Sequence, residues 1–164
     1  MISFQEVKES NIPLLRDLAK KSWKTAYAEI LSMEQIAYML REMYSEEVIS
    51  EQISNPHYFY YFIKVENIDI GFVGYEIHYE EDTTKLHRIY LLENAKGKGV
   101  GKVALKFLIQ KVLEVGNHRI ILNVNRNNPA QYFYKSLGFT VYGEGVFDIG
   151  NGFVMYDYLM EIRL

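Results

Sequence analysis

Between Lys96 and Lys102 the chain reads KGKGVGK. Gly97, Gly99 and Gly101 carry no Cβ, so the backbone there can turn tightly and come close to a ligand. An apolar run from Leu86 to Leu92 reads as a strand before the loop. Val103, Ala104, Phe107, Leu108, Lys111 and Val112 recur at helical spacing after it. A loop in that position leaves the first-turn N–H groups of a helix unpaired at the positive end of its dipole. With Lys96, Lys98 and Lys102 alongside, the chemistry is that of a pyrophosphate site.

Two common nucleotide loops do not fit. A Walker A loop needs Gly, four residues and then Gly-Lys-Ser/Thr, but counting back from Gly101-Lys102 lands on Lys96, and Val103 has no hydroxyl for magnesium. A dinucleotide fingerprint needs GxGxxG in an early βαβ unit, whereas this spacing is GxGxG past the midpoint of the chain. Lys96-Gly97-Lys98-Gly99-Val100-Gly101 instead resembles the signature of the GNAT superfamily of acetyl-CoA-dependent N-acetyltransferases, with Lys where Arg or Gln is usual. A second segment, Phe133-Tyr134-Lys135-Ser136-Leu137-Gly138-Phe139, resembles that family's FYxxxGF, with Asn127, Asn128 and Ala130 before it. The joint resemblance is strong over residues 68–145 and covers the rest of the chain in outline.

The elements that must position these residues follow from pattern. The 164 residues suggest one domain, 1–164, large enough to bury a core. Ile2 to Val7 alternates as a strand, and Pro13 opens a helix to about Ala26. Ser32 with Gln35 and then Ser45 start two short helices. Tyr58–Val65 and Ile70–Tyr79 read as a strand pair, and the acidic turn Glu80-Glu81-Asp82 leads to the strand before the loop. His118–Val124, a helix over Pro129–Leu137 and a hairpin of Phe139–Phe147 with Phe153–Ile162 complete the chain. The resemblance implies a GNAT fold of the α/β (α+β) class. Its sheet is mixed, mostly antiparallel and seven-stranded, splayed between strands 4 and 5, with about four to five flanking helices.

Composition narrows the classes. No Cys excludes disulfides and thiolate metal sites and fits a reducing cytoplasm. No 18-residue apolar run marks a membrane span. A net charge of -3 argues against general nucleic-acid binding. His57, His78 and His118 have no metal-ligand spacing with His87, so no metal is expected.

Transfer to an amine needs a neutral nitrogen, a donor for the developing oxyanion and a proton for the departing thiolate. An alkyl ammonium with a pKa near ~10.4 is almost wholly charged at neutral pH, so a base or desolvation must act. The resemblance implies that acetyl-CoA is held by Lys96, Gly97, Lys98, Gly99, Val100, Gly101 and Lys102, with Leu91 pairing the pantetheine. The Ile89 N–H would face the thioester carbonyl, and Tyr134 would protonate the sulfur. Counting back from Tyr134 gives Asn127 as the pantetheine asparagine, and counting forward from Val124 gives Asn128. Strand alternation puts His87 and Lys85 on the face of Ile89, which makes His87 a candidate base with Glu76 a competitor. Trp23 and Tyr27, with Tyr38 and Tyr44, could line an acceptor pocket or simply fill core.

The whole chain is most similar to PaiA-type spermidine/spermine N-acetyltransferases, through its early aromatics and short helices, Arg88-Ile89-Tyr90, and a tail with Gly150 and Met160. It departs from them at His87, where Glu is common. A small polyamine-like amine is the implied acceptor. A protein or peptide amine, and a non-catalytic acyl-CoA sensor, are the alternatives. The aromatic tail Phe147, Phe153, Tyr156 and Tyr158 could serve a homodimer or an ordinary core face.

Overall fold

The computed structural model describes residues 1–164. Seven strands form one sheet: β1 (Ile2–Glu6), β2 (Tyr58–Val65), β3 (Ile68–Glu80), β4 (Thr83–Leu91), β5 (Arg119–Asn125), β6 (Thr140–Gly150) and β7 (Phe153–Arg163). Their order is β1-β2-β3-β4-β5-β7-β6. Only β4 and β5 pair in parallel. Five helices flank the sheet: α1 (Ile12–Ala26), α2 (Met33–Met43), α3 (Glu46–Ser54), α4 (Val100–Glu114) and α5 (Ala130–Ser136). This is the architecture that the resemblance implies, and no helix is long and apolar enough to cross a membrane.

Each face of the sheet has its own core. Leu15, Ala19 and Trp23 of α1, Ile36 and Met39 of α2 and Ile49 of α3 bury against Tyr60, Phe62 and Phe72 on one side. Leu105, Leu108 and Val112 of α4 and Tyr134 of α5 bury against Val73, Tyr75, Ile120 and Leu122 on the other. Each such side chain contributes about 1.5–3 kcal/mol, so the helices are held by their apolar stripes.

Strand β4 starts at Thr83, earlier than its apolar run suggests. Thr83 and Thr84 are buried, and the Thr84 hydroxyl donates to Asn117 Oδ1 at 2.8 Å, so tertiary partners carry two polar residues into the strand. Helix α4 likewise begins at Val100, ahead of its first apolar repeat.

The register explains where the sheet opens. β4 and β5 pair only over Thr83–Leu86 with Arg119–Leu122. Beyond that point β4 stays on β3 as far as Leu91, and β5 stays on β7 as far as Asn125. The two strands part, and the gap opens toward the glycine loop.

Candidate active site

The gap widens into a cleft of about 730 Å³, within the usual range for small-molecule sites. Leu86–Leu91 of β4, Leu122–Val124 of β5, the loop before α4, and Asn128, Phe133 and Tyr134 around α5 form its walls, with Thr25 and Ala26 of α1 and the following Tyr27 at one end.

The loop end is made of backbone. Helices α2 and α3 are capped by serine: Ser32 Oγ accepts from the Gln35 N–H and Ser45 Oγ from the Val48 N–H, both at 3.1 Å. The other half of the Ser32 capping box does not form, because the Gln35 amide donates to the Val154 carbonyl instead. Helix α4 starts differently. Its N-cap is Gly99, with φ +77°, no side-chain cap, and no acid in the first turn. The Gly99 carbonyl accepts the first helical bond from Val103, which leaves the amides of Val100, Gly101 and Lys102 without intrahelical partners. Those three residues, with Gly97, Gly99 and Lys96, line the cleft. An anion-sized cradle of free donors and lysine charge fits the diphosphate of a coenzyme. At Gly101 an added Cβ would come within 3.1 Å of the Phe133 ring, so α4 and α5 approach closely only because that position is bare. Lys98 is exposed and does not line the cleft.

Backbone also sets the middle. The Leu92 N–H donates to the Ile70 carbonyl at 2.8 Å, toward β3. Amide direction alternates along a strand, so the N–H groups of Ile89 and Leu91 point the opposite way, into the gap that β5 has left. Both residues line the cleft, as does Tyr134. The Tyr134 pKa is pushed well above that of an ordinary phenol, first by burial and then by the nearby Tyr27. The phenol is therefore protonated across the working pH range. Of the two asparagines, Asn128 lines the cleft, while the Asn127 N–H is bonded to Asn125 Oδ1 and its side chain is not on the wall.

At the other end a bulge corrects simple alternation. Gly74 pairs with Arg88 and Tyr75 with Leu86, so His87 is an extra residue and the facing of β4 flips across it. Ile89 packs with the α4 core, whereas His87 turns to the α1 side and stacks on Tyr58 at 5.0 Å. His87 and Lys85 therefore do not share the face of Ile89. The bulge also joins the two candidate bases: His87 Nε2 lies 3.0 Å from Glu76 Oε1. Burial pushes the imidazole pKa down to about 4, opposed by the hydrogen bond to Glu76 and aided by the charge of Lys85. A neutral ring that donates Nε2–H to the carboxylate has Nδ1 free to accept a proton.

Trp23 does not reach the cleft wall. It is 1% exposed and wedged among Tyr27, Tyr44 and Tyr90 at 4.7–5.7 Å. Tyr44 is buried as well, and Tyr38 packs on Phe153. Tyr27 does line the cleft, with its hydroxyl 2.9 Å from that of Tyr90.

Two residues given no role in the sequence reading stand out. Arg88 is buried with no carboxylate: it donates to Tyr60 Oη and the Met43 carbonyl, with its guanidinium 4.1 Å over the Tyr44 ring. Asp157 is 7% exposed, and its Oδ1 has no partner. Burial pushes its pKa up to about 6, opposed by Lys85. One signal was visible in sequence, an acid two places from the inward Met155 in the apolar run FVMYDYLM.

Comparison with known proteins agrees with this geometry. The model of the acetyltransferase (GNAT) family matches residues 17–139. A spermidine N(1)-acetyltransferase of Thermoplasma acidophilum is 29% identical over 145 residues, 85% of this chain and 89% of that protein. A spermine/spermidine N(1)-acetyltransferase of Bacillus subtilis is 33% identical over 71% of this chain and 83% of its own length. The crystal structure of PaiA N-acetyltransferase from T. acidophilum in complex with coenzyme A superposes with a TM-score of 0.84 at 27% identity, covering 100% of this chain and 99% of that one.

Proposed function

The chain belongs to the GNAT family of N-acetyltransferases, whose cofactor is acetyl-CoA, and from that premise we propose that it acetylates a primary amine of a small polyamine. The observation that carries the acceptor class is His87 on the cleft wall, bonded to the Glu76 carboxylate and flanked by the rings of Tyr58 and Tyr79. Aromatic rings around an imidazole held by a carboxylate suit an alkyl amine. The polyamine acetyltransferases among its relatives support the same class.

When bound, the cofactor supplies an acetyl group activated as a thioester. The amides of Val100, Gly101 and Lys102, with Lys96, orient its diphosphate, and Asn128 and the Leu91 backbone hold the pantetheine. The Ile89 N–H donates to the carbonyl oxygen as negative charge gathers there, and one such donor is worth about 2.7–4 kcal/mol. His87 Nδ1 takes the amine proton. Taking it from a free ammonium near ~10.4 would be uphill by roughly 9 kcal/mol, so the ammonium proton leaves to solvent before the neutral nitrogen attacks, and His87 takes the N–H proton that bonding to carbon makes acidic. Glu76 holds Nε2–H and thus aims Nδ1. Tyr134 Oη donates a proton to the departing sulfur.

Thiol release from acetyl-CoA, measured across spermidine, spermine, an arylalkylamine and an N-terminal peptide, tests the acceptor. The highest kcat/KM is expected with a polyamine, and a preference for the peptide or the arylalkylamine would overturn the assignment.

A further inference from the structure

Asp157 sits near the middle of β7, on the sheet side that faces α1 and α2, two residues from the buried Met155. Its strand neighbours offer it nothing. Gly145 of β6 has no side chain. Asn125 of β5 directs its amide nitrogen to Met155 Sδ, and its Oδ1 accepts from the Asn127 N–H. Lys85, the cation that most affects it, holds its ammonium 4.8 Å over the Tyr79 ring instead. A buried carboxylate oxygen without a partner is costly and calls for a ligand.

The surroundings say which ligand. Asp157 is close enough to Tyr27, on the cleft wall, to oppose ionisation of that phenol. Asp157 stands on β7 and the Glu76–His87 pair on β3 and β4, so the two acids serve separate points on the acceptor side, with Lys85 acting on both. The reacting nitrogen must be neutral when it attacks, and a carboxylate beside it would hold its proton in place. Asp157 therefore suits a nitrogen that stays charged.

We propose that Asp157, beside Tyr27, is the receptor for a second ammonium of the acceptor, so that amines with two or more cationic nitrogens are selected over monoamines. This deepens the polyamine reading above and rests on it.

Calorimetric titration of the CoA-bound protein with spermidine and with n-butylamine tests the assignment, comparing wild type with Asp157→Asn. Unchanged affinity for CoA establishes that the variant is folded. Spermidine is expected to bind about thirty-fold more weakly to the variant, as loss of a buried charge partner implies, with n-butylamine changed less than about two-fold. Retained spermidine affinity in the variant, equal weakening of both amines, or a wild type that binds both equally would overturn it. If the wild type acetylates no amine, the polyamine reading itself fails. If it acetylates spermidine and the variant binds spermidine as tightly, only the Asp157 assignment fails.

Discussion

The cofactor end and the acceptor end of one cleft are built on different principles. At the first, the ligand-facing groups are mainly backbone: the free amides after Gly99 and the N–H groups of Ile89 and Leu91, supported by lysines and by Tyr134. At the second they are side chains from elements far apart in the chain, with His87 of β4 and Tyr27 just after α1 on the wall, Glu76 of β3 bonded to His87, and Asp157 of β7 as the proposed receptor. A backbone site tolerates exchange of side chains but not of local conformation. A side-chain site is the reverse, and one substitution changes its specificity.

The largest expected effect comes from Tyr134, the one cofactor-side group whose side chain is proposed to do chemistry. Tyr134→Phe should lower turnover about a hundred-fold while acetyl-CoA affinity stays within about two-fold, as steady-state kinetics and a binding titration would show. Equal loss in both would make Tyr134 a packing residue and erase the distinction drawn above.

Next is Gly99→Val, which puts a β-branched residue at φ +77°, where nothing lies within 4 Å of the new Cβ. The strain is conformational, about 1–2 kcal/mol, and should raise the KM for acetyl-CoA roughly ten-fold with the acceptor KM unchanged. A matching rise in acceptor KM would mean that the two ends are not separable.

The smallest effect is on stability and belongs to the acceptor end. The folded chain raises the Asp157 pKa from 3.8 to about 6, so the native state binds this proton more tightly than the unfolded chain does. The group's contribution to stability is favourable below the unfolded value and is lost as pH rises through about 6. Asp157→Asn should therefore melt about 2–4 °C higher than wild type at pH 7.5, on a net gain of roughly 1 kcal/mol. The gap should close near pH 4. A variant that melts lower at pH 7.5 would mark Asp157 as a structural residue rather than a binding group kept at the expense of stability.

The same contrast explains what could be read before folding. A strand, three spaced glycines, a helical stripe and an FYxxxGF segment are local, and local geometry dictates where first-turn amides and the Tyr134 ring point. The acceptor end was legible only as residue types. Trp23 lies in α1 and Tyr27 just past its end, both buried, yet only Tyr27 reaches the wall, because Tyr44 and Tyr90 close over the indole. Asn127 and Asn128 were equivalent by counting, and Asn125 Oδ1 decided between their positions by accepting the Asn127 amide.

Sequence by itself determined the order of elements and the free first-turn amides of α4, since both follow from periodicity and from bare glycines at the start of a helix. Only the tertiary structure decided which side chains meet at the other end. One unpaired residue in the β3–β4 ladder turns His87 away from the Ile89 side and onto Glu76, and a strand brought in from the end of the chain leaves a carboxylate buried without a partner. Register and burial belong to pairs of strands, and no single stretch of chain carries them.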